Sequence, residues 1–143
     1  MIEAKDYTRA GTMNKIATYL NEHLLGEATS AKSIRRYYST NNSNLTATPE
    51  LVVFPIATND VRKVMRFTWQ LAERGHAIGV TARGGGNDQT GAAVGPGVVI
   101  DLSRHLNQVI NFLPKDRLIH VQPGARIENI KEVLKWHGLK LPY

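Results

Sequence analysis

The chain has 143 residues, 42% of them hydrophobic, and carries 18 Lys and Arg against 12 Asp and Glu for a net charge of +6. That is about one domain of ordinary apolar content, which excludes a disordered tail, and the lack of cysteine excludes a disulfide framework and thiolate chemistry. No apolar run has the length of a membrane span or the look of a secretory signal, and the expected location is cytoplasmic.

In chain order, Met13, Ile16, Ala17, Leu20 and Leu24 recur at helical spacing before Gly26 and predict an amphipathic helix. Residues 27–48 are polar and turn-rich, and read as an extended loop with one short helical turn. Residues 51–54 predict a buried strand closed by Pro55. Thr58 is placed to cap a helix through its hydroxyl. Its inner face is Val61, Val64, Met65, Thr68, Leu71 and Ala72, with Arg62, Lys63 and Arg66 outward and Gly75 as the stop. Residues 77–81 and 98–101 predict two more strands. Residues 107–112 and 118–122 alternate weakly around a turn and predict a hairpin. Pro123 and Gly124 turn the chain into a last helix on Ile127, Ile130 and Leu134, stopped by Gly138.

This order predicts an α+β class, a mixed sheet with flanking helices. The strand–helix–strand unit implies a parallel pair, and the hairpin adds antiparallel strands. Trp69 and Trp136 fall on predicted helices and are expected to pack. The five histidines show no metal-ligand spacing, so no metal site is expected. Asp101 and Ser103 are expected to have backbone-bonding roles at a strand end, and no catalytic residue is named.

The chemistry concentrates in the loop after residue 81, which carries Arg83, Gly84, Gly85, Gly86, Asn87, Asp88, Thr90 and Gly91. A dinucleotide fingerprint G-x-G-x-x-G fails, because Gln89 stands at the third glycine and a strand follows where a helix should begin. A P-loop fails too, because Ala92 and Ala93 stand where Lys and Ser or Thr belong. Two readings stay open. The loop is a concave set of backbone N–H groups that binds an anion without a lysine, or it is a wide surface turn. The basic balance also leaves open a non-enzymatic module that binds nucleic acid or another polyanion, although basic and acidic residues are interspersed and no basic stripe with interleaved aromatics is present.

Several pieces then occur in one order: Val52-Val53-Phe54-Pro55, Asn59-Asp60-Val61, Arg83-Gly84-Gly85-Gly86, Gly91, residues 99–103, Val121-Gln122-Pro123-Gly124, and His137-Gly138 with Leu141-Pro142. Together they resemble the start of the FAD-binding domain of the vanillyl-alcohol oxidase and p-cresol methylhydroxylase superfamily, in its glycolate oxidase and D-lactate dehydrogenase branch. The resemblance covers roughly residues 30–143, with residues 1–48 as an N-terminal helix and polar segment and residues 49–143 as the first part of the FAD-binding domain. It implies that Arg83, Gly84, Gly85, Gly86, Asn87 and Asp88 line the FAD pyrophosphate, that Thr90 and Gly91 close the loop, and that Pro55, Pro123 and Gly124 border the cofactor. Asp88 is expected to turn its carboxylate away and cap the backbone locally. Asn87 stands where some members carry a histidine covalently bound to flavin, which implies non-covalent FAD. The resemblance also implies a second glycine-rich segment and a cap domain beyond residue 143, so the chain is expected to need a C-terminal portion or a completing chain, to self-associate, and to be inactive alone.

Overall fold

The computed structural model describes residues 9–142. The elements are α1 (Arg9–His23), β1 (Glu27–Thr29), α2 (Lys32–Tyr37), β2 (Leu51–Phe54), α3 (Thr58–Glu73), β3 (Val80–Arg83), β4 (Val98–Asp101), β5 (Val109–Leu113), β6 (Leu118–Val121) and α4 (Ile127–Lys135). The class is the expected α+β with a mixed sheet. The main sheet has the order β1-β2-β4-β3, and β5 and β6 form a separate antiparallel pair.

β2 and β3, joined through α3, are parallel but not neighbours: β4 lies between them and is parallel to both. Both faces of these strands are covered, which explains the unbroken apolar runs Leu51-Val52-Val53-Phe54 and Val98-Val99-Ile100. Alternation along each strand separates two cores. Leu51, Val53, Val98 and Ile100 pack with Ala17, Leu20 and Leu24 of α1, Ala28 of β1 and Val64 of α3. Val52, Phe54 and Val99 pack on the other face with Tyr38, and Ile34 of α2 adds to them.

The segment read as an extended loop, residues 27–48, contains both β1 and the expected short helix α2. β1 pairs antiparallel with β2 over Glu27–Thr29. Its placement comes from side chains elsewhere: Asn21 brackets Ala28, donating to its carbonyl at 2.8 Å and accepting from its N–H at 2.7 Å.

Asp60 is the second anchor. It is fully buried, and its carboxylate accepts N–H groups from Leu25 (2.9 Å), Gly26 (3.1 Å), Ile56 (3.0 Å) and Ala57 (3.4 Å). One carboxylate therefore ties the entry to β1, the exit of β2 and the start of α3. Burial alone would raise its pKa, but the four backbone donors outweigh it and hold the carboxyl below its ordinary value. Thr58 does not cap α3; Ala57 occupies the cap position without a side-chain bond, and Asp60 reaches back to the free N–H groups instead.

Other expectations shift. Met65, Ala72 and Trp69 are exposed on α3, so its buried face is the narrower Asp60, Val64 and Thr68, flanked by Val61 and Phe67. Trp136 is 82% exposed and does not pack. The strand predicted at 77–81 runs from Val80 to Arg83, because Gly79 and Gly97 meet at the sheet's start, where the Gly79 carbonyl accepts the Val98 N–H at 2.9 Å. Among the described residues no helix is long and apolar enough to cross a membrane.

Candidate functional site

The three parallel strands end at Phe54, Asp101 and Arg83, on one side of the sheet. In open α/β sheets, ligands collect beyond the carboxyl ends of such strands. The glycine loop leaves from there, and a second segment joins it: the Gly124 N–H bonds to the Leu106 carbonyl at 2.8 Å, which brings the start of α4 up to the end of β4. A Cβ on Gly124 would lie 2.0 Å from the Leu102 carbonyl oxygen, so glycine is required for this approach.

Between the two segments lies a cavity of about 450 Å³, lined by Gly84, Gly85, Asn87, Ser103, Pro123 and Gly124 together with residues 125–128. Five of the expected site residues thus come together: Gly84, Gly85, Asn87, Pro123 and Gly124. Pro55 does not join them. It is fully buried, where it closes β2, and it is outside the lining.

The two halves of the loop differ. Asp88 organises the second half, with Oδ1 accepting from the Thr90 N–H at 3.1 Å and hydroxyl at 2.8 Å, and Oδ2 from the Ala92 N–H at 2.6 Å. Hydrogen bonds from the Thr90 side chain and backbone, opposed by slight desolvation, hold its carboxyl below the usual value. This is the local backbone cap expected for Asp88. It consumes the N–H groups of Thr90 and Ala92, so neither Thr90 nor Gly91 lines the cavity, and Gly91 lies against Leu45. In the first half, no hydrogen bond among the described residues engages the N–H groups of Gly84, Gly85 and Asn87. These are the donors left for an external anion.

Arg83 supports the loop from below. Its side chain is buried and donates to the carbonyls of Thr40 (2.8 Å) and Ala93 (3.4 Å), with the guanidinium 5.0 Å from the centre of the Tyr38 ring. Gly86, at φ +70°, sits on that guanidinium; a Cβ there would be 2.4 Å from Arg83 Nη2. Residues 40–42 complete the clamp. The Asn41 amide donates to the Asp88 carbonyl at 2.9 Å, and the Asn42 N–H donates to the Gly86 carbonyl at 3.2 Å.

The Tyr38 hydroxyl donates to Asp101 Oδ2, and Asp101 Oδ1 accepts the Ser103 N–H and hydroxyl, both at 2.7 Å. Burial first, and then the bond to Asp101, push the Tyr38 hydroxyl far above its ordinary pKa, so it stays a neutral donor. Asp101 and Ser103 therefore have the expected structural roles. The five histidines are exposed, and among the described residues no group of His, Asp or Glu could hold a metal ion.

The cavity has the donors of an anion site, and Gly84 and Gly85 leave space that a cofactor can fill: a Cβ on Gly84 would meet no protein atom within 4 Å, and one on Gly85 only the Asn87 side chain at 3.4 Å. The family model of the FAD binding domain matches residues 49–143. The chain belongs to this family. The chain is 31% identical over 132 residues to D-2-hydroxyglutarate dehydrogenase of Escherichia coli, an alignment that covers 90% of this chain and 13% of the relative. It is 30% identical over 107 residues to the mitochondrial D-lactate dehydrogenase [cytochrome] of Kluyveromyces lactis, covering 72% of this chain and 18% of that protein. The fold is shared with 6-hydroxy-D-nicotine oxidase of Arthrobacter nicotinovorans at a TM-score of 0.65 and 19% identity, over 80% of this chain and 24% of that one. This chain therefore spans under a fifth of the curated relatives named here.

Sequence reasoning missed three contributors. Asn41 sat in a stretch read only as polar, Ser103 was read as a backbone-bonding residue and not as part of the cavity, and Arg126 was not singled out. The turn at Pro123 and Gly124 ahead of a helix was the available signal for Arg126.

Proposed function

We propose that the N–H groups of Gly84, Gly85 and Asn87 hold the pyrophosphate of FAD, with Pro123 and Gly124 bordering it and Arg83, Gly86, Asp88, Thr90 and Gly91 shaping the loop. One observation carries this reading: Gly84 and Gly85 line the cavity and packing leaves room for a Cβ at each, whereas at Gly86 and Gly124 a Cβ is blocked by the protein itself. Glycines that packing does not need are explained by close approach of a ligand.

Residues 49–143 act as the first part of the FAD-binding domain of an FAD-linked dehydrogenase or oxidase. The D-2-hydroxyglutarate and D-lactate dehydrogenases among its relatives support a 2-hydroxy acid as the substrate class. FAD, when bound, supplies the hydride acceptor. This chain contributes binding and orientation, and a further C-terminal portion or a completing chain supplies the rest.

The 143-residue chain alone is expected to bind FAD weakly and to show no turnover. Bonds to a charged pyrophosphate contribute about 1.5–3 kcal/mol each, against roughly 4–15 kcal/mol for the lost freedom of the ligand. The main sheet also has β1 and β3 at its edges, which favours self-association. Calorimetric titration checks this; a sub-micromolar dissociation constant from a monomer would show that the chain needs no completion.

Asn87 offers a carboxamide, which has no nucleophilic nitrogen for a flavin bond. Flavin bound to the natural-length protein is therefore expected to stay in the supernatant after acid precipitation. Fluorescent flavin retained in the pellet would overturn non-covalent attachment, and a preparation of that protein lacking flavin absorbance, even after FAD is added, would overturn the cofactor reading.

A further inference from the structure

We propose that Arg126 supplies the positive charge that the glycine cradle lacks, and that it selects a diphosphate over a single phosphate. The proposal rests on the pyrophosphate reading above. The cradle offers neutral N–H groups, and Ala92 and Ala93, not a lysine, come directly after Gly91. The loop's own cation, Arg83, is spent beneath it on the carbonyls of Thr40 and Ala93 and on the Tyr38 ring. A ligand with two negative charges is therefore held more tightly when a cation from elsewhere adds to these N–H groups.

Arg126 is the residue placed to provide it. It immediately precedes α4, it is exposed, and it lines the cavity beside Gly84, Gly85 and Asn87. It also lines a second cavity of about 480 Å³ that includes Tyr37, Phe54, Arg104 and Asn107. Ser103 and Arg126 line both, so Arg126 stands at the border of the two cavities. Arg126 thus shares the first cavity with the cradle's N–H groups, where a second phosphate would be accommodated.

No acid competes effectively for the guanidinium. Among the described residues Arg126 has no ion-pair or hydrogen-bond partner for its side chain. Asp101, which also lines the second cavity, is engaged by Tyr38 and Ser103. Glu128, in the first turn of α4, lines the first cavity too, but it forms no ion pair with Arg126 among the described residues. The planar fork of Arg suits two phosphate oxygens at once, which a lysine cannot match. Arg104 adds field from behind; its guanidinium is 4.6 Å from the centre of the Phe54 ring, and it lines only the second cavity.

The test is titration of the ¹⁵N-labelled 143-residue chain with inorganic pyrophosphate and, separately, inorganic phosphate, following amide shifts. Pyrophosphate is expected to move the amides of Gly84, Gly85, Asn87 and residues 124–128. Arg126→Ala is expected to weaken pyrophosphate at least about tenfold and phosphate by less than about threefold, with Arg126→Lys between. Arg62→Ala removes an exposed charge that lines neither cavity and is expected to change neither. Arg126 makes no side-chain cap bond at α4, so both variants are expected to fold. If the loop amides shift but R126A binds pyrophosphate as tightly as the parent, the cradle reading stands and the role of Arg126 falls. If the parent's loop amides do not move, the cradle reading falls and takes this proposal with it.

Discussion

Asp60→Ala is expected to remove several kcal/mol of folding stability from the 143-residue chain. The substitution removes one acceptor from four backbone N–H groups that lie where Leu25, Gly26, Ile56 and Ala57 converge. An N–H left buried without a partner costs about 1–3 kcal/mol. Even if water reaches half of the four, the loss is about 2–6 kcal/mol, a large part of a typical domain stability of roughly 5–15 kcal/mol. Asp60→Asn keeps the volume and one acceptor oxygen, so about half that loss is expected. The pH dependence has a definite sign. The folded carboxyl is held below its ordinary value, so its contribution is fully present above the unfolded value of about 3.9 and is lost as pH falls through the folded one. The parent should therefore lose stability on acidification below about pH 4, and D60N should lose less over the same interval. Urea unfolding followed by circular dichroism across that range measures both. A D60A variant within about 1 kcal/mol of the parent would contradict the role assigned to this residue.

Gly85→Val and Gly86→Val are expected to fail in opposite ways. At Gly85 the new side chain meets only the Asn87 amide at 3.4 Å and otherwise points into cavity space. Stability should change by less than about 1 kcal/mol, as at other loosely packed surface sites. FAD affinity in the natural-length protein should fall about 100-fold or more, because a branched side chain blocks two charge-assisted backbone bonds. At Gly86 the backbone has φ +70°, and the Cβ would displace the buried guanidinium of Arg83. That variant should lose about 2–4 kcal/mol of stability, combining backbone strain with the loss of a buried charged bond. Thermal unfolding of both variants, read beside flavin titration, separates the outcomes. Equal loss of folding and binding at Gly85 would make the loop a structural turn.

The loop was visible in the sequence as a run of glycines, but spacing treats Gly85 and Gly86 alike. What separates them is the position of Arg83, which folds back under the loop to reach the carbonyls of Thr40 and Ala93. That contact spans 43 residues and leaves no local pattern. The strands β2 and β4 were legible because both their faces are covered, which gives unbroken apolar runs. β1 was not legible, since three residues of Glu-Ala-Thr are fixed by Asn21 and by the pairing with β2. Asp60 looked like an ordinary acid in a first helical turn, and only tertiary structure brings Leu25 and Gly26 to it. The helical stripe of α3 was read too wide, because α1 and the sheet cover only a narrow part of it and leave Met65 and Trp69 in solvent. Pro55 marked the end of a strand correctly, and its burial removes it from the cavity.

The most direct test of the central claim is amide hydrogen exchange on the natural-length protein with and without FAD. FAD is expected to slow exchange at Gly84, Gly85 and Asn87 and at residues 124–128, and to leave the N–H groups of Thr90 and Ala92, already bonded to Asp88, nearly unchanged. Bound FAD that slows exchange elsewhere while residues 84–87 exchange as in the free protein would show that the glycine cradle does not hold the cofactor.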